Sequence, residues 1–334
     1  MIMEATIKDL KVKSIYKKLV SSPDASSLIT VSTALLGLIL FFSFSSPYFF
    51  SKTVFLNIGM YAAIMGTLAC SMTFINVSGN IDISGGSQIA VVGMVTAVLI
   101  KSGSMPLWLC VLLGVASGTV CGMINGFFIT VIKVNAFITT IATMQMLRGI
   151  AYLISNGQTL VISDQKFKFL GRGYVLGIPF TLIMLVVFYI VFHIISRNTV
   201  FGRTIYMIGG NPLASFLSGI RVQRIKFILY TLNGTMAGCA GIMLASQSGA
   251  GLPMAAMNSN MQALSAVILG GAGLSGGRGT ILGTFIGVMV LCTLITGMTM
   301  LSISSFWQDV IVGVVLLISV SIDAIKSGSL KRKI

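Results

Sequence analysis

Charge is what this sequence has least of. Only 9% of its 334 residues are Asp, Glu, Lys or Arg, where a soluble domain carries about a quarter. With 55% hydrophobic residues, that shortage excludes a water-soluble enzyme and leaves an integral membrane protein. Acidic residues are scarcer still, 7 against 22 basic ones, for a net charge of +15. The positive excess gathers in the termini and a few loops, with no aromatic-interleaved basic groove. It therefore reports membrane topology and not a nucleic-acid partner. His193 is the only histidine. No Ser/His/Asp or Cys/His set and no usefully spaced carboxylate pair exists, which argues against chemistry. The five cysteines (Cys70, Cys110, Cys121, Cys239, Cys292) all fall in apolar runs. Their spacing fits neither a metal site nor a disulfide framework. No G-x-x-x-x-G-K-[ST] occurs, so the chain has no phosphate loop of its own.

What the chain has in abundance is apolar sequence, broken at intervals by polar turns. Runs at 28–44, 54–74, 87–100, 107–131, 137–153 and 180–195 each approach the roughly 20 residues that a crossing helix needs. Ahead of them, residues 1–27 read as a basic amphipathic lead-in. Ile7, Leu10, Ile15 and Leu19 recur at helical spacing, while Lys8, Lys11, Lys17 and Lys18 take the other faces. On an anionic cytoplasmic leaflet each such lysine contributes about 1 kcal/mol. No small-x-small cleavage site follows, so a cytoplasmic N-terminus is expected. Six crossings then bring the chain back inside at Arg197, where cationic residues also cluster. Apolar runs at 227–245, 261–270, 281–298 and 307–322 precede a basic tail, 326–334, which should also be inside. That requires separate crossings at 261–270 and 281–298, although one span broken by a re-entrant stretch remains the alternative. The expectation is an all-α integral membrane fold of about ten helices, with its membrane domain at 28–325.

Between the sixth and seventh runs lies a polar island, residues 201–226, containing Arg203, Arg221, Arg224 and Lys226 and no acidic residue. A short helix is spelled out inside it. Asn211 is a good N-cap and Pro212 suits the first helical position. Gly219 supplies the left-handed residue that ends the helix. Leu213, Phe216 and Leu217 fall at i, i+3 and i+4, one apolar stripe over about two turns. A helix that short is not stable alone in water. Its stripe must lie on the rest of the chain, on lipid or in a partner's groove.

Two glycine-rich interruptions stand in apolar surroundings, at 79–87 and 270–279. Broken helices are tolerated at membrane depth where the backbone is buried in protein or lines a wet cavity, and their placement in the two halves matches an internal repeat. The second holds a literal G-x-G-x-x-G at Gly271, Gly273 and Gly276, but no βαβ unit surrounds it. Close packing and a tight turn explain it better than a dinucleotide. Asp82 lies in the first, and a carboxylate in hydrocarbon costs about 3 kcal/mol on insertion scales. It either caps the helix that begins near Ser84 or lines a polar path, and the two roles are compatible. Asn125, Asn135, Thr139, Thr140, Thr143 and Gln145 make a polar seam, read either as interhelical hydrogen bonds or as a path for a neutral polyol. Arg148 either reaches the interface or pairs internally; His193, Asp309 and Asp323 read as interfacial.

Five strings together resemble the monosaccharide-type permeases of bacterial ABC importers, the ribose permease family. They are G-x-I-D-I-S at 79–84, I-N-G-F-F-I-T at 124–130, F-I-T-T-I-A-T-M at 137–144, F-G-R-T-I-Y-M-I-G-G-N-P-x-A-x-x-x-S-G-I at 201–220 and V-I-L-G-G-x-x-L-S-G-G-R-G-T at 267–280. The likeness covers nearly the whole chain. It implies a ten-span fold like the cobalamin-importer permease, in the bacterial inner membrane with both termini cytoplasmic. It implies that Gly209, Gly210, Asn211, Pro212, Leu213, Phe216, Leu217, Ser218 and Gly219 couple the chain to a cytoplasmic ATPase. ATP and Mg would be used by that partner, and no cofactor is bound by this chain. A second permease subunit and an extracytoplasmic sugar-binding protein complete the importer. Translocation-path candidates are Asn80, Asp82, Ser84, Asn125, Asn135, Thr139, Thr140 and Gln145. Hinge candidates are Gly270, Gly271, Gly273, Gly276 and Gly277. Two departures from the family pattern stand out: Asn260 and Gln262 replace acidic residues, and Gly85-Gly86 replaces Val-Gly. The competing class is an ion-coupled secondary transporter or channel for a small polar solute, which would need more titratable groups at membrane depth than Asp82 and Arg148.

Overall fold

The computed structural model describes residues 23–326. The basic lead-in up to residue 22 and the tail from 327 lie outside them. Every expected apolar run is a helix. In chain order these are α1 Pro23–Ser45, α2 Lys52–Val77, α3 Gly85–Ser102, α4 Leu107–Thr130, α5 Ala136–Leu153, α6 Gln165–Arg172, α7 Phe180–Asn198, α8 Val200–Gly210, α9 Pro212–Leu217, α10 Val222–Ser248, α11 Ser259–Leu269, α12 Ile281–Met300 and α13 Ser305–Lys326. The strands among the described residues are two residues long. β1 Leu160–Val161 pairs with β4 Ala250–Gly251, and β2 Tyr174–Val175 with β3 Ile178–Pro179, both antiparallel. The class is all-α. Seven helices (α1 from Ser27, α2, α3, α4, α7, α10, α12) are long and apolar enough to cross a bilayer, while α11 and the apolar part of α13 are shorter. The eighteen-residue α5 carries three threonines, Gln145 and Arg148 and is not among the seven.

α2 is apolar on all sides, and a helix of that kind belongs inside a bundle. It is buried almost continuously from Ile58 to Val77 and packs on α7, α10, α11 and α12. α1, α4 and α7 instead present bare apolar faces, such as Leu36 and Leu40, Leu112 and Val120, and Val187 and Ile190. Lipid tails are as apolar as leucine and solvate these faces without penalty. The tightest pairing joins α4 to α10 through glycines at four-residue spacing. A Cβ on Gly118 would lie 2.6 Å from Gly234 O and 2.9 Å from Gly238 Cα, and one on Gly122 would overlap Tyr230 O. Only hydrogen fits between these backbones.

The first glycine-rich interruption is non-helical over 79–84, with Gly85–Ser87 opening α3, and the second is non-helical throughout. The second is a turn between two packed helices, not a break in one span: Gly270 meets Gly283 and Gly287 meets Ala266, an antiparallel register between α11 and α12. The island is more helical than expected. Residues 200–210 form α8, started by Thr199, whose hydroxyl accepts from Gly202 N, and Arg224 and Lys226 belong to α10. The sequence reading also missed α6, which is strapped to the far end of α10. Arg172 donates to the carbonyls of Gln247 and Ser248, and Ser246 Oγ to that of Phe167. The bundle thus has two distinct ends. One gathers α9, the turn around Lys133, residues 270–280 and the start of 79–84. The other gathers α6, the short ladders and residues 250–258.

Candidate functional site

The capping residues of α9 act as their chemistry requires. Asn211 Oδ1 accepts from Ala214 N (3.0 Å), and Pro212 opens the helix. At the other end Gly219 has φ +83°, its N–H bonds Phe216 O (2.9 Å), and Ile220 N bonds Ser215 O (3.1 Å). That crossed pair is the complete Schellman stop. The helix is therefore finished by its own termini, and its stripe is left uncovered: Leu213 is 67%, Phe216 65% and Leu217 76% exposed. Pro212, Leu213 and Phe216 line a groove of about 590 Å³ rimmed by Lys133, Arg221 and Arg224. Of the three surfaces that could have taken the stripe, the bundle formed by the described residues is ruled out.

Behind α9 three backbones meet. Gly277 N donates to Val77 O (2.8 Å). A Cβ on Gly209 would overlap Val77 O and Gly277 N, and one on Gly276 would lie 2.8 Å from Gly79 Cα. Gly276 and Gly277 also have φ +77° and +74°, which only glycine adopts readily. Nothing lies within 4 Å of a Cβ on Gly210, whereas a Cβ on Gly277 would lie 3.1 Å from Gly210 N. In the same turn Gly270 ends α11 and Gly271 has φ +94°.

Residues 79–84 run inward from this junction, Gly79 exposed, Asn80 and Ile81 half-buried, Asp82 and Ser84 buried. Asp82 Oδ1 accepts from Ser84 N (2.8 Å) and Ser84 Oγ (2.6 Å), and Oδ2 from Asn233 Nδ2 (3.0 Å). The carboxylate thus holds the N–H of Ser84, the residue just ahead of α3, without capping the helix N–H groups themselves, and also reaches across to α10. Ser84 Oγ in turn accepts from Gln88 Nε2 and Asn125 Nδ2, both at 2.8 Å. Asn233 Oδ1 takes the Ser71 hydroxyl at 2.7 Å. Four helices meet at this cluster, and each hydrogen bond to the carboxylate offsets part of its burial cost.

The threonine seam turns out differently from the interhelical reading. Thr139, Thr140 and Thr143 are buried, but their hydroxyls donate to carbonyls of α5 or its cap residue. Asn135 caps α5, accepting from Phe137 N and Ile138 N. Asn125 is the member of that set that bonds another helix. Gln145 is exposed halfway along α5. Sequence reasoning missed Ser71, Gln88 and Asn233. Asn233, a polar residue inside the α10 run, was the available signal. The two departures from the family pattern are in contact, since a Cβ on Gly85 would lie 3.0 Å from Asn260 Oδ1. Gln262 accepts from Tyr61 OH at 3.0 Å.

Arg148 pairs within the chain. Its Nη1 donates to Pro253 O (2.7 Å) and Ala255 O (2.8 Å), clamping the 250–258 loop. Charged hydrogen bonds contribute about 1.5–3 kcal/mol each. In Arg148→Gln, amide hydrogen exchange at 252–258 should therefore quicken at least about tenfold. An unchanged rate would mean that the β1–β4 ladder alone holds the loop.

Comparison with known proteins agrees with this architecture. Residues 54–320 match the family described as branched-chain amino acid transport system / permease component, and the chain belongs to that family. It is 40% identical over 293 residues to the ribose import permease protein RbsC of Bacillus subtilis (strain 168), covering 87% of this chain and 91% of the relative. It is 39% identical over 270 residues to the L-arabinose transport system permease protein AraH of Escherichia coli (strain K12), covering 81% and 82%. The probable ABC transporter permease protein YphD of the same organism is 36% identical over 283 residues, 85% of each chain. The resemblance read from the five strings holds. The chain is a multi-pass membrane permease component, a transport pathway and not an enzyme.

Proposed function

We propose that this chain is the pathway subunit of an ATP-driven importer that passes a monosaccharide or sugar-like solute into the cytoplasm. One observation carries the reading. A fully capped helix at the cationic end of the bundle offers Leu213, Phe216 and Leu217 to something outside the chain. A cytoplasmic ATPase that hydrolyses MgATP docks on it, and the groove rimmed by Lys133, Arg221 and Arg224 favours an acidic lip on that partner. This end is cytoplasmic by the excess of positive charge, both termini with it. α5, α11 and α13 join the seven long helices to make ten crossings, as in the cobalamin-importer permease. The opposite end, with α6 and the loop held by Arg148, receives a sugar-binding protein.

Gln145 supports a second permease subunit. An amide bare to lipid in mid-span is expensive, so its face of α5 meets another protein or a wet path. The solute path runs past α5, whose exposed side carries Gln145 and whose buried side carries Thr139 and Thr140, with Asn135 at its start, and the cluster of Asn80, Asp82, Ser84 and Asn125 stiffens the wall behind it. Gly270, Gly271, Gly273, Gly276 and Gly277 form the hinge on the cytoplasmic side. The sugar permease relatives favour a sugar as solute.

The test is co-purification. Leu213→Asp with Phe216→Asp puts two charges where a partner's groove must be dry. The ATPase should be lost from the membrane-extracted complex while the permease itself folds normally, because neither side chain packs on its own bundle. Full retention of the ATPase would overturn the reading.

A further inference from the structure

We propose that residues 77–84 receive the movement of α9, because both sequence flanks of that helix grip them. The inference rests on α9 being the ATPase docking element. On the N-terminal flank, Gly209 lies against Val77 and Gly277 with no room for a Cβ, and Gly277 N bonds Val77 O. On the C-terminal flank, α10 presents Lys226, Tyr230 and Asn233 at i, i+4 and i+7, one helical stripe. These bond three successive residues of the extended segment. Lys226 Nζ donates to Asn80 Oδ1 (3.3 Å), Tyr230 OH to Ile81 O (3.1 Å) and Asn233 Nδ2 to Asp82 Oδ2 (3.0 Å).

A non-helical segment has no lengthwise ladder of its own to resist displacement, so it follows whatever holds it. Here the holder is continuous with α9 on both sides. At the inner end Asp82 holds Ser84 N at the start of α3, and Ser84 bonds Gln88 and Asn125. A shift of α9 is thereby delivered to the buried cluster joining α3 and α4, a contiguous chain of backbone and polar contacts of the kind that carries coupling.

Hydrogen exchange on the assembled permease–ATPase complex tests this, with ATP and vanadate as the probe. In the unmodified complex, nucleotide should change exchange in both the 211–219 and the 79–88 peptides, by about tenfold. In Lys226→Met with Tyr230→Phe, the response at 211–219 should persist while that at 79–88 is lost. A response at 79–88 that survives the double change, or that never occurs in the unmodified complex, overturns the proposal. Failure of the docking reading looks different: 211–219 would then gain no protection from the ATPase. Should the double variant not assemble, Asn80→Cys with Lys226→Cys, joined by a short bifunctional thiol reagent, decides the matter. The bridged complex should keep the response at 79–88. Its loss on bridging and return on cleavage would show that the two segments must separate, against the proposal.

Discussion

Gly122→Leu is expected to leave almost no folded permease in the membrane. A Cβ at this position would overlap Tyr230 O and lie 2.9 Å from Gly234 Cα. Both obstacles are backbone, so no side chain can rotate aside. Overfilling a packed core ordinarily costs about 1–3 kcal/mol, and here the only relief is to push α4 and α10 apart. That separation would also stretch the Tyr230–Ile81 and Asn233–Asp82 bonds, so the cost should reach or exceed the top of the range. The readout is the yield of monodisperse protein after detergent extraction. Gly37→Leu is the control, because nothing lies within 4 Å of its Cβ direction and leucine is the better helix former by up to about 1 kcal/mol. Equal yields from the two variants would refute the close-packed interface.

The second large effect is expected at Asp82. Alanine there removes the acceptor from Ser84 N, Ser84 Oγ and Asn233 Nδ2 at once, at a fully buried position. Stranded buried donors cost about 1–3 kcal/mol each, so Asp82→Ala should lower the thermal unfolding midpoint sharply and cut extraction yield. Asp82→Asn should fall much nearer the parent. Its oxygen can keep both Ser84 bonds, and a flip of the Asn233 amide pairs the two amides while Ser71 turns to accept. Neutral asparagine also avoids the burial cost of the carboxylate. The expected order of stability is Asp, then Asn, then Ala well below. Alanine matching asparagine would mean that the hydrogen bonds contribute little and only the volume matters.

Legibility followed distance along the chain. The ends of α9 were readable because capping is local: Asn211 meets Ala214 and Gly219 meets Phe216, three residues apart in each case. The apolar runs were readable because a bilayer demands length and hydropathy of each segment separately. The turn at Thr199 and the helix behind it were hidden by the polar composition of the island, where Arg203 and the glycines read as loop. The threonines of α5 misled because a hydroxyl can return to its own helix as easily as bond a neighbour. Nothing local announces that Asn233 meets Asp82, 151 residues away.

The sequence by itself determined the membrane class, the positions of the apolar segments, the stops of α9 and, through five strings, the family. Those properties follow from neighbouring residues and from the solvent they must satisfy. The tertiary structure alone decided that the stripe of α9 is bare, that Gly209, Val77 and Gly277 share one crowded junction, and that Arg148 clamps a loop. Such facts depend on which distant backbones close upon each other. That is settled by packing the whole bundle, where a single hydrogen in place of a methyl group decides how near two helices come.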